Sequence, residues 1–173
     1  MALLKVRILG DPILRAKAAP VRAFDAQLAT LAQDMLETMD DAPGVGLAAP
    51  QVGISTRLFV YDSGEAGERG ALCNPVITWV SEELVEMEEG CLSIPDAYFP
   101  VTRPASITVD GFRTDGSPVT IAATEILARV FQHEIDHLDG ILFIDHLPKE
   151  LRKQAMAAMR EQDMGLQRPP RST

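Results

Sequence analysis

Apolar positions recur at helical spacing in some stretches of the chain and alternate or run continuously in shorter ones. In residues 25–41, Leu28, Leu31, Ala32, Met35, Leu36 and Met39 form one stripe, with Asp25 placed to cap the first turn. That spacing predicts a helix with its apolar stripe on a core. Segments 57–62, 71–80 and 83–91 run apolar or alternate between Gly, Ser and Asp, the habit of strands. Ile107 and Val109 alternate with Ser106, Thr108 and Asp110, and Asp115-Gly116 turns the chain into a returning strand through Val119 and Ile121. A second helix is predicted from Thr124, as cap, to Gly140, a natural residue just past a helix end, and a third from about Pro148 to Asp163. Strands followed by helices, without strict alternation, favour an α+β fold. Antiparallel sheets packed around the second helix, with an N-terminal and a C-terminal helix beside them, are the expected arrangement.

Residues 41–53 interrupt this pattern. Pro43, Gly44, Gly46, Pro50 and Gly53 are too many breakers for a regular element, so the segment reads as a shaped loop. A chain of 173 residues fits one domain, expected over residues 1–164, with 165–173 as a fraying tail. With 46% hydrophobic and 24% charged residues, disorder is excluded. No apolar run reaches the roughly 18 to 20 residues of a membrane span, and Lys5 and Arg7 fall where a signal peptide would be apolar. A soluble cytoplasmic protein, without membrane contact, is expected. The net charge of −9 argues against specific DNA binding. Residues 148–173 are the exception: they carry +3 and leave −12 on the rest, a pattern compatible with contact to ribosomal RNA.

The chemistry concentrates at residues 133–137, His-Glu-Ile-Asp-His. Two imidazoles four apart stand one above the other on a helix, where both reach one metal ion. On a helical wheel His133 and His137 fall beside Ile126 and Val130, with Glu134 on the same apolar arc, while Arg129, Gln132, Asp136 and Asp139 take the other side. Buried imidazoles and carboxylates need hydrogen bonds or a metal, which sharpens the metal reading. Asp136 reads as structural, a cap or ion-pair partner. A catalytic site wants a third protein ligand and an open position. Phe143 stands where a metzincin would carry histidine, and Glu150 and Glu161 lie on a highly charged helix. Cys91, after Gly90 at the end of a strand, is the better candidate. Cys73 competes but reads as a small buried hydrophobe, and His146 as a surface residue.

Three segments stand together: Gly-Val-Gly-Leu-Ala-Ala-Pro-Gln at 44–51, Glu-Gly-Cys-Leu-Ser at 89–93 and Gln-His-Glu-Ile-Asp-His at 132–137. They closely resemble the signature motifs of peptide deformylases, in the same order and at similar separations. The resemblance implies removal of the formyl group from formyl-methionine at the start of nascent polypeptides, with formate released. It places metal ligation on Cys91, His133 and His137, and the catalytic carboxylate on Glu134. It assigns the formyl oxygen to Gln51 and the Leu92 backbone N–H, and backbone pairing with substrate to Gly46. It also implies Fe²⁺ in the cell, with Zn²⁺, Ni²⁺ or Co²⁺ as occupants after purification; a thiolate with two imidazoles suits any of these. Val45 and Val130 are expected in the wall of an apolar pocket for the methionine side chain. Tyr98 departs from the pattern, standing where some relatives carry arginine, whereas Arg103 matches a downstream arginine. Two other readings compete: a metallopeptidase using the same histidines and glutamate, and a noncatalytic module keeping the metal for stability.

Overall fold

Asp25 begins the first helix as its sequence suggests: its carboxylate accepts the Leu28 backbone N–H at 3.0 Å, and α1 runs Ala26–Asp41. The computed structural model describes residues 2–163, so the expected tail at 165–173 lies outside the described residues. Seven strands follow in two sheets. The first has the order β1 (Gly46–Ala48), β2 (Leu58–Asp62), β3 (Arg69–Val80), β6 (Ser106–Phe112), β7 (Pro118–Thr124), and every pairing in it is antiparallel. The second is the hairpin of β4 (Leu84–Cys91) and β5 (Ile94–Pro104). Two helices close the described chain, α2 (Glu125–Leu138) and α3 (Lys149–Asp163).

The α+β reading therefore holds, with two differences. The breaker-rich segment 41–53 is not loop throughout: Gly46–Ala48 pairs with Phe59–Tyr61, and Ala49–Val52 forms one tight helical turn. Three residues of strand carry no readable periodicity, and partner carbonyls rather than propensity make this one. Strand β5 was also missed, because Pro95, Pro100 and Pro104 interrupt its sequence. Proline is tolerated there because β5 pairs only with β4 in its sheet and has no second strand to satisfy.

Helix α2 sits between the sheets. Leu127, Ala128, Val130, Phe131, Ile135 and Leu138 pack with Phe59, Tyr61, Leu72, Ile107 and Val109 of the larger sheet in one buried cluster. The opposite arc, expected to be polar and outward, is not a solvent face: Arg129 and Gln132 are buried too. The β4–β5 hairpin covers them, and its carbonyls accept their protons: Arg129 bonds Val101 O and Val85 O, and Gln132 bonds Pro104 O. Helix α3 is not wholly exposed either, since Ala155 and Met159 join Leu14, Ile94, Val101 and Phe143 in a separate cluster. Among the described residues no helix is long and apolar enough to cross a membrane.

Candidate metal centre

Because α2 is clamped on both faces, the side chains in its middle have fixed surroundings. His133, Glu134 and His137 are all buried. Cys91, the last residue of β4, comes against them: its Sγ lies 3.3 Å from His137 Nε2, which lies 3.2 Å from His133 Nε2. All three donor atoms fall within 4.8 Å of one another. Donors about 2.0 to 2.3 Å from a tetrahedral ion stand roughly 3.3 to 3.8 Å apart, so the Cys91–His137 and His137–His133 edges are close to those of a single ion's ligand set. The sequence left Cys91 and Cys73 as competitors. Cys73 is buried in the cluster beneath α1, where burial pushes its thiol up to about 11, as expected of a buried hydrophobe.

Electrostatics around the triangle are uneven. Glu89 Oε1 meets His133 Nδ1 at 2.9 Å. A carboxylate only accepts, so Nδ1 carries a proton, and Nε2 is the nitrogen that faces Cys91 and His137 and would give up its proton to bind an ion. Burial works against the His133 imidazolium, but the Cys91 sulfur and Glu89 outweigh it and raise its pKa well above the ordinary value. His137, driven by burial first and by His133 second, is lowered well below. Burial also pushes Glu134 up to about 7. Its Oε2 and His137 Nδ1 are buried without a hydrogen-bond partner among the described residues. Such orphans at a cluster of donor atoms suit a site built to take a ligand.

A cleft of about 480 Å³ opens onto this cluster. Val45, Gly46, Met87, Leu92, Ile126 and Val130 line it together with Gln51, Cys91, His133 and Glu134. The Gln51 carbonyl accepts Ala48 N–H at 2.8 Å, which turns its Nε2 toward Ser93 Oγ at 3.2 Å and Cys91 Sγ at 3.6 Å. Glycine at 46 is a steric demand, since a Cβ there would run into the Glu134 carboxylate. Gly90 answers a similar one: the exposed Tyr98 ring covers it, and a Cβ would meet that ring at 2.5 Å. All nine residues expected at the site thus gather in one place. Asp136 has the ion-pair role expected of it, with Arg103 at 2.8 Å, and the exposed His146 bonds the same carboxylate.

The sequence reading overlooked Glu89, the buried hub of this surround. Arg103 grips it through Nε at 2.7 Å and Nη2 at 3.0 Å, and Arg129 Nη1 adds 2.7 Å. Burial works against the charged carboxylate, but His133 and the Arg103 guanidinium outweigh it and hold the carboxyl far below the usual range. Strand parity carried the signal: Val85, Met87, Glu89 and Cys91 alternate on one face of β4, so the face presenting the thiol also presents a carboxylate.

A metal-suited triangle beside a raised glutamate, on a helix held between two sheets, defines a metal-dependent hydrolase of the HExxH type. The sequence pattern of the polypeptide deformylase family matches residues 3–153, and the chain belongs to that family. It is 51% identical over 163 residues to a peptide deformylase of Parafrankia sp., covering 93% of this chain and 87% of that one. A peptide deformylase of Acidothermus cellulolyticus is also 51% identical, over 161 residues covering 93% and 88%. The crystal structure of a peptide deformylase from Legionella pneumophila superposes with a TM-score of 0.88 at 42% identity, covering 97% of this chain and all of that one. The chain is thus an enzyme of metal-dependent deformylation, acting on the N-terminal formyl group of nascent peptides. Neither the metallopeptidase nor the noncatalytic module is favoured.

Proposed function

We propose that residues 1–164 form one catalytic unit in which Cys91, His133 and His137 hold a divalent ion, Fe²⁺ in the cell, that Zn²⁺, Ni²⁺ or Co²⁺ can replace after purification. The observation that carries this reading is the convergence of one sulfur and two ring nitrogens beside a buried carboxylate oxygen that has no hydrogen-bond partner among the described residues. When bound, the ion supplies Lewis-acid polarisation and lowers the pKa of water toward neutrality. The remaining steps belong to the chain. Glu134, raised to about 7, takes a proton from the attacking water and returns it to the departing amine. Negative charge growing on the formyl oxygen is met by Gln51 Nε2 and the Leu92 backbone N–H, each contributing about 3 to 4 kcal/mol by the measure of other oxyanion holes. The formyl C–N bond breaks, formate leaves, and the peptide keeps its free amine.

Gly46, at the edge of β1, pairs with the substrate backbone, and Val45 and Val130 wall the methionine side chain. Val45 is half exposed at the rim while Val130 is buried, so the walls run from the mouth inward. Formyl-methionyl chains are made in the bacterial cytoplasm, which is where we place the enzyme, and the basic α3 provides a contact to the ribosome.

Formate release from a formyl-Met peptide, measured on anaerobically prepared protein beside Glu134→Ala, tests the reading. Release by wild type alone, with metal retained in the variant, is expected. Full metallation without formate release sinks the proposal, and cleavage of internal peptide bonds replaces it with a peptidase.

A further inference from the structure

From the surface to His133 runs one unbroken chain of hydrogen bonds. His146 Nε2 lies 2.8 Å from Asp136 Oδ2, and the same oxygen accepts Arg103 Nη1 at 2.8 Å. Arg103 grips Glu89 with its other two nitrogens, and Glu89 Oε1 accepts from His133 Nδ1. The members come from four places: the tight turn Phe143–His146, α2, β5 and β4. Formal charges balance, with Glu89 and Asp136 against Arg103 and Arg129, so loss of any one leaves an uncompensated charge beside the metal centre.

Arginine's planar fork makes the chain directional. One side of the Arg103 guanidinium is fixed on Glu89 and the other on Asp136, so its plane is set by both carboxylates. Without Asp136, Nη1 loses its anchor and the fork can rotate, carrying Glu89 off His133 Nδ1. His146 stands at the outer end with its side chain 38% exposed, and it fixes the Asp136 rotamer that Arg103 needs.

We propose that Asp136 and His146 are positioning residues of the metal centre: through Arg103 they hold Glu89 on His133, and so keep the His133 Nε2 lone pair aimed at the ion. This rests on the ligand set proposed above. The competing account is a latch that fastens the β4–β5 hairpin to α2 and leaves the metal indifferent.

Cobalt(II) distinguishes them, because its visible spectrum reports ligand geometry whether or not the enzyme turns over. Apparent Co²⁺ affinity, by competition with a chelator, and the Co²⁺ absorption bands are measured for the full chain, Asp136→Asn, His146→Ala and His146→Gln. Outer partners of ligating histidines typically change metal affinity 10- to 100-fold. One further step out, Asp136→Asn is expected to weaken binding about tenfold with displaced bands, and His146→Ala about threefold. His146→Gln, which keeps an N–H donor, restores most of the loss. For substrate turnover kcat falls while KM holds. Unchanged affinity and bands in both Asp136→Asn and His146→Ala, even with lowered melting temperatures, overturn the proposal. His146 is exposed, so its variants keep the test alive if Asp136→Asn does not fold. His137→Ala separates the two layers of inference. If it binds Co²⁺ as tightly as wild type, the ligand set fails and this proposal with it. If it loses Co²⁺ while the outer variants keep it, only this proposal fails.

Discussion

Gly46 and Glu134 occupy one steric unit, since the glycine's missing side chain is the space in which the carboxylate sits. Gly46 is not among the residues with positive φ, so alanine there meets no backbone strain and its whole effect falls on Glu134. Gly46→Ala is expected to keep its fold and bound metal but lose on the order of 100-fold in kcat/KM, the scale of a 1 Å misplacement at a reacting centre. Wild-type kcat/KM in that variant would show that the carboxylate need not stand there. A second consequence concerns Cys73. Burial raises its thiol from 9.0 to about 11, so the folded state holds this proton more tightly than the unfolded chain does. The sign follows: the contribution is complete below pH 9 and is lost as pH rises through 11. Urea midpoints of wild type should therefore fall relative to Cys73→Ala between pH 9 and 11, and parallel midpoints across that window would contradict the assignment.

Among the elements, α2 carries the most. Phe131 is fully buried and stacks edge-on against Phe59 at 5.1 Å and Tyr61 at 4.8 Å, so it fastens the site helix to the larger sheet. Phe131→Ala should cost about 3 to 5 kcal/mol. In a chain of this length that is roughly 10 °C or more of melting temperature, whereas Trp79→Ala, at an exposed strand position, should stay within about 0.5 kcal/mol. Equal losses by thermal melts would mean that α2 is not the fastening element. The helix also shows what the sequence could tell. Its apolar arc and its paired histidines follow from a period of 3.6 and were readable. The destination of Arg129 and Gln132 was not, because a polar arc looks the same facing water as facing the carbonyls of another sheet. The carbonyls belong to β4 and β5, and β5 was hidden by its prolines. Glu89 differs: parity on β4 places it on the face that carries Cys91, and what the sequence hid was its partner Arg103, which lies on β5.

At the scale of the whole molecule, charge separates the two ends. The chain is −9 overall, yet residues 148–173 carry +3. Removing that segment looks like the direct test of ribosome contact, but Ala155 and Met159 are buried against Leu14, Ile94 and Phe143. Truncation would open that core and confuse folding with binding. The structure offers a cleaner variant, since Arg152, Lys153 and Arg160 lie on the exposed face of α3 and none of them enters the buried cluster. Replacing all three by glutamine removes three charges and leaves the packing face intact. If that face meets ribosomal RNA, each phosphate contact contributes about 0.7 to 0.9 to the slope of log affinity against log salt. The triple variant should bind ribosomes about tenfold more weakly at low salt, with a slope smaller by as much as about 2 to 3. Its kcat/KM on a short formyl-Met peptide should not move, because α3 contributes no residue to the lining of the cleft. Equal ribosome affinity across the salt range would leave the basic face as ordinary solvated surface and put the delivery of nascent chains down to diffusion alone.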